Sequence, residues 1–258
     1  MDLSYLSNKH IVILGAGLTG MSCARFLRDH GVKFAMNDSR ADVVSTDRFA
    51  KDFPGNEISL GFWNKTLIAS ADLVIASPGV DTSIPALADS IKDTSDVIGD
   101  VELYCRLKET PMLAVTGSNG KSTVVSLVAF LGQALGVDAQ LGGNIGVPVL
   151  DRIDQPLEVL VLELSSFQLE TTSSMKAMAA TILNISDDHL DRHKNMANYQ
   201  AIKQSIYQQC LVAIVNRDDP LTLVDTAYSP ESVISIGSDR PEKGHFGIAQ
   251  VNDEQCLM

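Results

Sequence analysis

The sequence predicts an α/β protein with two mainly parallel sheets, and three observations carry that expectation. Short apolar runs alternate with stretches of helical spacing. Two strand-to-helix turns are glycine-rich, at 15–20 and 117–120. The 258 residues suit one large domain or two of ordinary size. A boundary is expected near Val97 to Asp100, giving domains at 1–98 and 99–258.

Ile11 to Leu14 reads as a buried strand, and Leu18 to Asp29 has helical spacing through Leu18, Met21, Ala24-Arg25 and Leu27. Lys33 to Met36 is a second strand that runs into Asn37-Asp38-Ser39-Arg40, and Leu73 to Ala76 is a third that runs into Ser77-Pro78-Gly79. Val101 to Leu107 is a helix leading to the strand Met112 to Val115, and Val124 to Leu131 is helical again. Leu157 to Leu164 is a strand with Glu158 and Glu163 as its only charges. Ala179 to Ile185 is another strand, Ala197 to Cys210 an amphipathic helix, and Leu211 to Val215 a strand. Phe246 to Met258 alternates as a strand would. Domains seldom stop on an apolar strand fragment, since open apolar edges invite association, so the chain is expected to be truncated inside its second domain.

Hydrophobic residues at 45% and charged residues at 20% describe a soluble globular protein with ample core. The formal net charge of −12, with no long Lys/Arg run, argues against a nucleic-acid partner. Any anionic ligand must therefore be held by local devices rather than by the field of the whole protein. Cys23, Cys105, Cys210 and Cys256 are isolated and form no C-x-x-C pair, which suits reduced thiols in a cytosolic protein. Lys9-His10 and the apolar residues after it faintly imitate a signal peptide. Gly15, Gly17 and Gly20 break that stretch, and no run approaches the ~18 apolar residues that cross a membrane. A cytoplasmic protein without membrane insertion is expected.

Thr116-Gly117-Ser118-Asn119-Gly120-Lys121-Ser122-Thr123 joins a strand to a helix. Such a turn aims backbone N–H groups and a positive helix terminus at one point, which suits a polyphosphate. Lys121 adds a point charge and Ser122 an oxygen for Mg²⁺. The strict P-loop spacing places glycine where Val115 stands, so this is a shortened variant. A plain strand-to-helix connection is the bland alternative, and Gly-Lys-Ser-Thr at a helix start is costly to explain by packing. A nucleoside triphosphate is the expected ligand.

Gly15-Ala16-Gly17-Leu18-Thr19-Gly20 matches G-x-G-x-x-G after a strand, with Asp38 ending the next strand. That pattern admits NAD with an acidic ribose partner, another nucleotide-containing ligand on the same helix terminus, or glycines that only let helix and strand pack closely. Nothing downstream supplies a hydride-transfer site, which favours the second of these.

Four further positions carry candidate chemistry. Glu163 sits near the end of an apolar strand, where α/β proteins bind ligands, and suits Mg²⁺; a surface charge is the alternative. His189, among Asp187, Asp188 and Asp191, is either a metal ligand or part of a solvated loop. Lys203 borders the apolar face of its helix, beside Tyr199, Ile206 and Tyr207. Desolvation there favours the neutral amine, which can take up CO₂ as a metal-binding carbamate; the alternative is a lysine snorkelling along that face. Leu141 to Gly146 reads as a glycine-rich loop that either approaches a ligand, with Asn144 offering an amide, or is an ordinary turn.

Together, the segments 116–123, Gly142-Gly143-Asn144-Ile145-Gly146, Leu162-Glu163-Leu164-Ser165-Ser166-Phe167-Gln168-Leu169-Glu170 and Asn184 through Arg192 resemble the Mur ligase family. The resemblance runs over essentially the whole chain, and covers the first and most of the second of that family's three domains. It implies a Rossmann-like N-terminal domain, then a P-loop NTPase-like central domain. It also implies an ATP-dependent amide ligase that joins D-glutamate to UDP-N-acetylmuramoyl-L-alanine through an acyl phosphate. By this resemblance Leu18, Thr19, Asp38, Ser39 and Arg40, with Ser77, Pro78 and Gly79, hold the UDP part of the substrate. Serine at 39 stands where the family often has threonine, which keeps the hydroxyl. Gly117, Ser118, Asn119, Gly120, Lys121, Ser122 and Thr123 bind ATP. Glu163, His189 and a carbamylated Lys203 hold Mg²⁺, with Ser122 on a second Mg²⁺, while Asn144, Ser165, Gln168 and His189 contact substrate. The implied enzyme is a monomer. The alternatives are another Mur ligase, a folylpolyglutamate synthase-like ligase, or a nucleotide-binding module without turnover, the state expected of the 258 residues alone.

Overall fold

The computed structural model describes residues 1–252 and 254–258. The chain forms two compact units: residues 1–109 with 147–155, and residues 110–146 with 156–258.

The first unit is built on five parallel strands: β1 (Ile11–Leu14), β2 (Ala35–Asp38), β3 (Glu57–Leu60), β4 (Leu73–Ala76) and β5 (Asp96–Ile98). They lie in the order β3-β2-β1-β4-β5, so the chain reverses its winding between β1 and β4. In open α/β sheets ligands bind beyond the strand ends at such a switch point. Helices α1 (Leu18–Asp29), α2 (Thr46–Asp52), α3 (Lys65–Ser70), α4 (Pro85–Ala88) and α5 (Asp100–Leu107) accompany the sheet. Strands β1 and β4 are buried at every position, which is why they read as unbroken apolar runs. Val12, Leu14, Val74, Leu67, Ile68 and Leu87 pack as one core. The 147–155 segment is tied into this unit by the Arg25–Asp151 ion pair at 2.6 Å and by Lys108 Nζ, which donates to the carbonyls of Ile153 and Gln155.

The second unit has six parallel strands: β6 (Met112–Thr116), β7 (Ala139–Gly143), β8 (Val159–Glu163), β9 (Ala179–Ile182), β10 (Val212–Asn216) and β11 (Ser232–Ile236). Their order is β11-β10-β9-β6-β8-β7, with β6 between β9 and β8. Its helices are α6 (Lys121–Ala134), α7 (Ser166–Leu169), α8 (Leu190–His193) and α9 (Met196–Gln204). Val115, Val125, Ala129, Ala139 and Val161 form the core where α6 covers the sheet. Among the described residues, no helix is long and apolar enough to cross a membrane.

Several expected boundaries shift for local reasons. The strand expected at Lys33 to Met36 runs instead to Asp38, because pairing with β3 continues to the Asp38–Leu60 register. The strand expected to reach Ile185 ends at Ile182, since the Asn184 backbone and side chain both turn to the 118–119 loop. The helix expected to run to Cys210 ends at Gln204 and tightens into a 3₁₀ turn at Ser205–Tyr207. Leu141-Gly142-Gly143 is not loop but the end of edge strand β7, paired with β8 as far as Gly143–Glu163. Phe246 to Met258 is not one strand but an antiparallel pair, β12 (Ile248–Val251) and β13 (Glu254–Leu257), with Asp253 outside the described residues.

Candidate functional site

In the first unit, β1 delivers the chain into Gly15, whose φ of +93° is a left-handed conformation suited to glycine. A Cβ on Gly20 would lie 1.8 Å from the Gly15 carbonyl oxygen, so only glycine lets α1 start this close to the turn. Gly17 caps α1 without a side-chain bond, which leaves the first-turn N–H groups open to an anion. Asp38, at the end of β2, is 2% exposed. Its two oxygens accept four N–H donors: Ala16 N–H at 2.8 Å, Arg40 N–H at 2.9 Å, Arg40 Nε at 3.0 Å and Arg40 Nη2 at 2.6 Å. Burial opposes ionisation of Asp38, but these donors outweigh it and hold the carboxyl below its ordinary range. Four donors occupy the acceptor sites of the carboxylate, three of them from Arg40. Leu18, Ser39 and Arg40 are solvent-exposed around this turn, Thr19 is half-buried, and Ser77 Oγ donates to the Gly15 carbonyl at 3.3 Å.

In the second unit, the loop after β6 has Gly117 at φ +153° and Gly120 at φ +82°, and α6 begins at Lys121. The N–H groups of Lys121, Ser122 and Thr123 have no backbone acceptor among the described residues, as a helix start dictates. The N–H groups of Ser118 and Asn119 are already spent, on the Asn184 carbonyl and Oδ1, each at 2.9 Å. Asn184 Nδ2 donates back to the Asn119 carbonyl at 3.0 Å. Lys121 Nζ folds onto the carbonyls of Gly117 and Ser118 at 2.8 and 3.0 Å.

Beneath this loop, Lys203 is 1% exposed and donates to Thr116 Oγ1 at 3.2 Å and to the Gly117 carbonyl at 3.0 Å. Burial, and secondarily the charge of Lys121, push its ammonium down to about 7. Glu163, at the end of β8 and in register with Val115 of β6, is also 1% exposed. Its Oε1 accepts from Asn144 Nδ2 at 2.7 Å, while its buried Oε2 has no partner among the described residues. An anionic oxygen left buried and unpaired costs free energy unless a cation meets it, so the Glu163–Asn144 pair fits a metal ligand. Gly143 lets β7 approach, since a Cβ there would lie 2.2 Å from the Glu163 carbonyl oxygen.

His189 adopts φ +53° at the start of α8, with its ring 5.0 Å from that of Phe167 and Nε2 3.5 Å from Asp188 Oδ2. Among the described residues, no three His, Cys, Asp or Glu side chains converge as a metal cluster. Glu163 and His189 therefore need a further donor to share an ion, and the amine of Lys203 as it stands donates rather than accepts. Ser165 and Gln168 engage each other in a capping box at the start of α7. Sequence reasoning gave no role to Asn184 beyond its place in a motif, nor any to Thr116, Tyr199 or His193. Asn184 and Tyr199 bond the loop directly, Thr116 accepts from Lys203 beneath it, and His193 packs on Tyr199, contacts between segments far apart in sequence that local spacing does not record.

Residues 115–256 match the Mur ligase middle domain, and residues 9–99 match the MurD-like N-terminal domain of Mur ligases. The chain belongs to the Mur ligase family. Among its Mur ligase relatives, the UDP-N-acetylmuramoylalanine–D-glutamate ligase of Colwellia psychrerythraea is 46% identical over 276 residues, covering 99% of this chain and 58% of that protein. The protein of the same name from Alcanivorax borkumensis is 46% identical over 211 residues, 82% of this chain and 48% of its own. The chain thus spans about half the length of the curated relatives it matches. Two solved Mur ligase structures share the fold. One is the UDP-N-acetylmuramate:L-alanyl-gamma-D-glutamyl-meso-diaminopimelate ligase of Neisseria meningitides, with a TM-score of 0.60 at 15% identity over 97% of this chain and 84% of that one. The other is the UDP-N-acetylmuramate-alanine ligase of Thermotoga maritima, with a TM-score of 0.52 at 19% identity over 93% and 54%.

Proposed function

We propose that this chain is the sugar-nucleotide- and ATP-binding part of an amide ligase that joins D-glutamate to UDP-N-acetylmuramoyl-L-alanine in peptidoglycan synthesis. The observation that carries the reading is the 46% identity, across 99% of this chain, to a protein of that name. In this reading residues 1–98 serve the sugar nucleotide and residues 99–258 serve ATP. Leu18, Thr19, Asp38, Ser39 and Arg40, with Ser77, Pro78 and Gly79, take the UDP moiety at the open end of α1.

The phosphates of ATP lie along the 117–123 turn. Lys121 exchanges its two loop carbonyls for phosphate oxygens, and the open amides at the start of α6 add their partial charge. The terminal phosphoryl group passes to the L-alanyl carboxylate, the amine of D-glutamate attacks the resulting acyl phosphate, and phosphate leaves. Both first reactants are anions, and a bound Mg²⁺ would supply the charge neutralisation that lets them meet. Glu163, His189 and Lys203 as a carbamate would hold one ion, and Ser122 a second. Asn144 steadies Glu163, and with Ser165 and Gln168 it meets the substrate. The buried Lys203 amine is neutral to a large extent near pH 7, so it can add CO₂ and release a proton to become an anionic oxygen donor.

Ligation by a protein of the relatives' full length tests the proposal. Lys121→Ala should lower the rate by at least about a hundredfold, the loss expected when a charge-stabilising donor is removed. Undiminished ligation would remove Lys121 and its loop from the chemistry.

A further inference from the structure

One buried group has no role in the chemistry above. His193 is fully buried and sits between two rings, stacked on Phe167 at 5.3 Å with 21° between planes and tilted against Tyr199 at 5.2 Å. Its Nε2 lies 2.9 Å from Ser166 Oγ. On the other side Glu170 Oε1 lies 3.2 Å from Nδ1, and Arg192 Nη2 donates to Glu170 Oε2 at 2.6 Å. Nδ1 makes no hydrogen bond among the described residues, but the carboxylate oxygen 3.2 Å away favours the tautomer with its proton on Nδ1, which makes Nε2 the acceptor of the Ser166 hydroxyl. Burial depresses the imidazole's basicity, against the opposing pull of Glu170, which favours the neutral ring.

The string Ser166–His193–Glu170 has the order of a nucleophile triad, yet Ser166 is 2% exposed, with its hydroxyl engaged by the ring. A carbonyl substrate has no path to it, so the string serves geometry rather than nucleophilic attack. What it holds is the first residue of α7, flanked by the Ser165–Gln168 capping box and three residues beyond Glu163. The same ring packs on Tyr199, whose hydroxyl meets Ser118 Oγ of the phosphate loop at 3.2 Å.

We infer that His193 is a positioning residue: through Ser166 it fixes the Ser165–Leu169 turn in the form that receives the acid end of the sugar nucleotide. The inference rests on the ligase reading for the identity of that ligand. His193→Phe keeps a ring in the slot but leaves the buried Ser166 hydroxyl without its acceptor, while His193→Gln returns one. In a full-length ligase, His193→Phe should raise KM for UDP-N-acetylmuramoyl-L-alanine roughly tenfold, as expected for one orphaned buried hydroxyl. KM for ATP should stay within about twofold, and His193→Gln should recover most of the loss. Ser166→Ala, which removes the other end of the bond, should produce the same split if His193→Phe folds poorly. Backbone amide exchange in the chain itself should quicken at 165–169 in His193→Phe and stay unchanged along α6. An unchanged KM for the sugar nucleotide, or equal rises in both KM values without recovery by glutamine, would overturn the inference. If the wild-type ligase does not use this sugar nucleotide, the ligase reading fails. The exchange rates then decide alone, and unchanged rates at 165–169 overturn the positioning role.

Discussion

Lys203 gathers most of the local physics into one side chain. Its ordinary value of 10.5 falls to about 7 in the fold, chiefly through burial. The unfolded chain therefore holds a proton between pH 7 and 10.5 that the folded chain has released. Stability rises with pH wherever the unfolded state binds more protons, so the fold should gain stability across that window. Lys203→Met should flatten the gain, which denaturant titrations at several pH values would show. A slope that survives the substitution would place its origin elsewhere. Gly20 makes a steric point of the same size. The 1.8 Å approach of a Cβ to the Gly15 carbonyl means that Gly20→Ala must push α1 off the turn. The expected cost is at least about 2 kcal/mol, within the range for overpacking, together with weaker sugar-nucleotide binding. An alanine variant of unchanged melting temperature and affinity would contradict this account of the turn.

At the scale of elements, the loop before α6 is held by a partner just beyond the end of β9. Asn184 exchanges two side-chain hydrogen bonds with Asn119 while its carbonyl takes the Ser118 N–H. Asn184→Ala removes the side-chain pair and should cost about 2 kcal/mol, with faster amide exchange at 117–120 read by mass spectrometry. Exchange unchanged there would mean that the loop holds its shape alone. The same loop shows what sequence can and cannot convey. β1, β4, β6 and β8 were legible because burial on both faces writes itself as a continuous apolar run, and the positions of Glu163 at a strand end and Lys121 at a helix start were legible from where such runs stop and start. β3, β5, β7 and β11 went unread, being three to five residues long and partly exposed, with polar residues at their edges. The roles of Asn184 and His193 were hidden for another reason. Each depends on strands and helices far apart in sequence being folded side by side, and no local period records that.

For the whole molecule, the proposed division between a sugar-nucleotide turn and an ATP turn rests on where each sheet reverses its winding. The first sheet reverses beside Gly15, and the second places β6 and its glycine-rich loop between β8 and β9. With a net charge of −12 the molecule as a whole repels anionic ligands, so binding at either turn must come from fixed amides and from Arg40 or Lys121. Arg40→Ala should thus weaken a uridine nucleotide while leaving ATP affinity within about twofold. The central claim is that the first glycine turn holds a uridine sugar nucleotide and not a dinucleotide. Calorimetric titration of the chain with UDP-N-acetylmuramoyl-L-alanine and, separately, with NAD tests it most directly. Saturable heat with the sugar nucleotide and none with NAD is the predicted result; saturable heat with NAD and none with the sugar nucleotide would contradict the account.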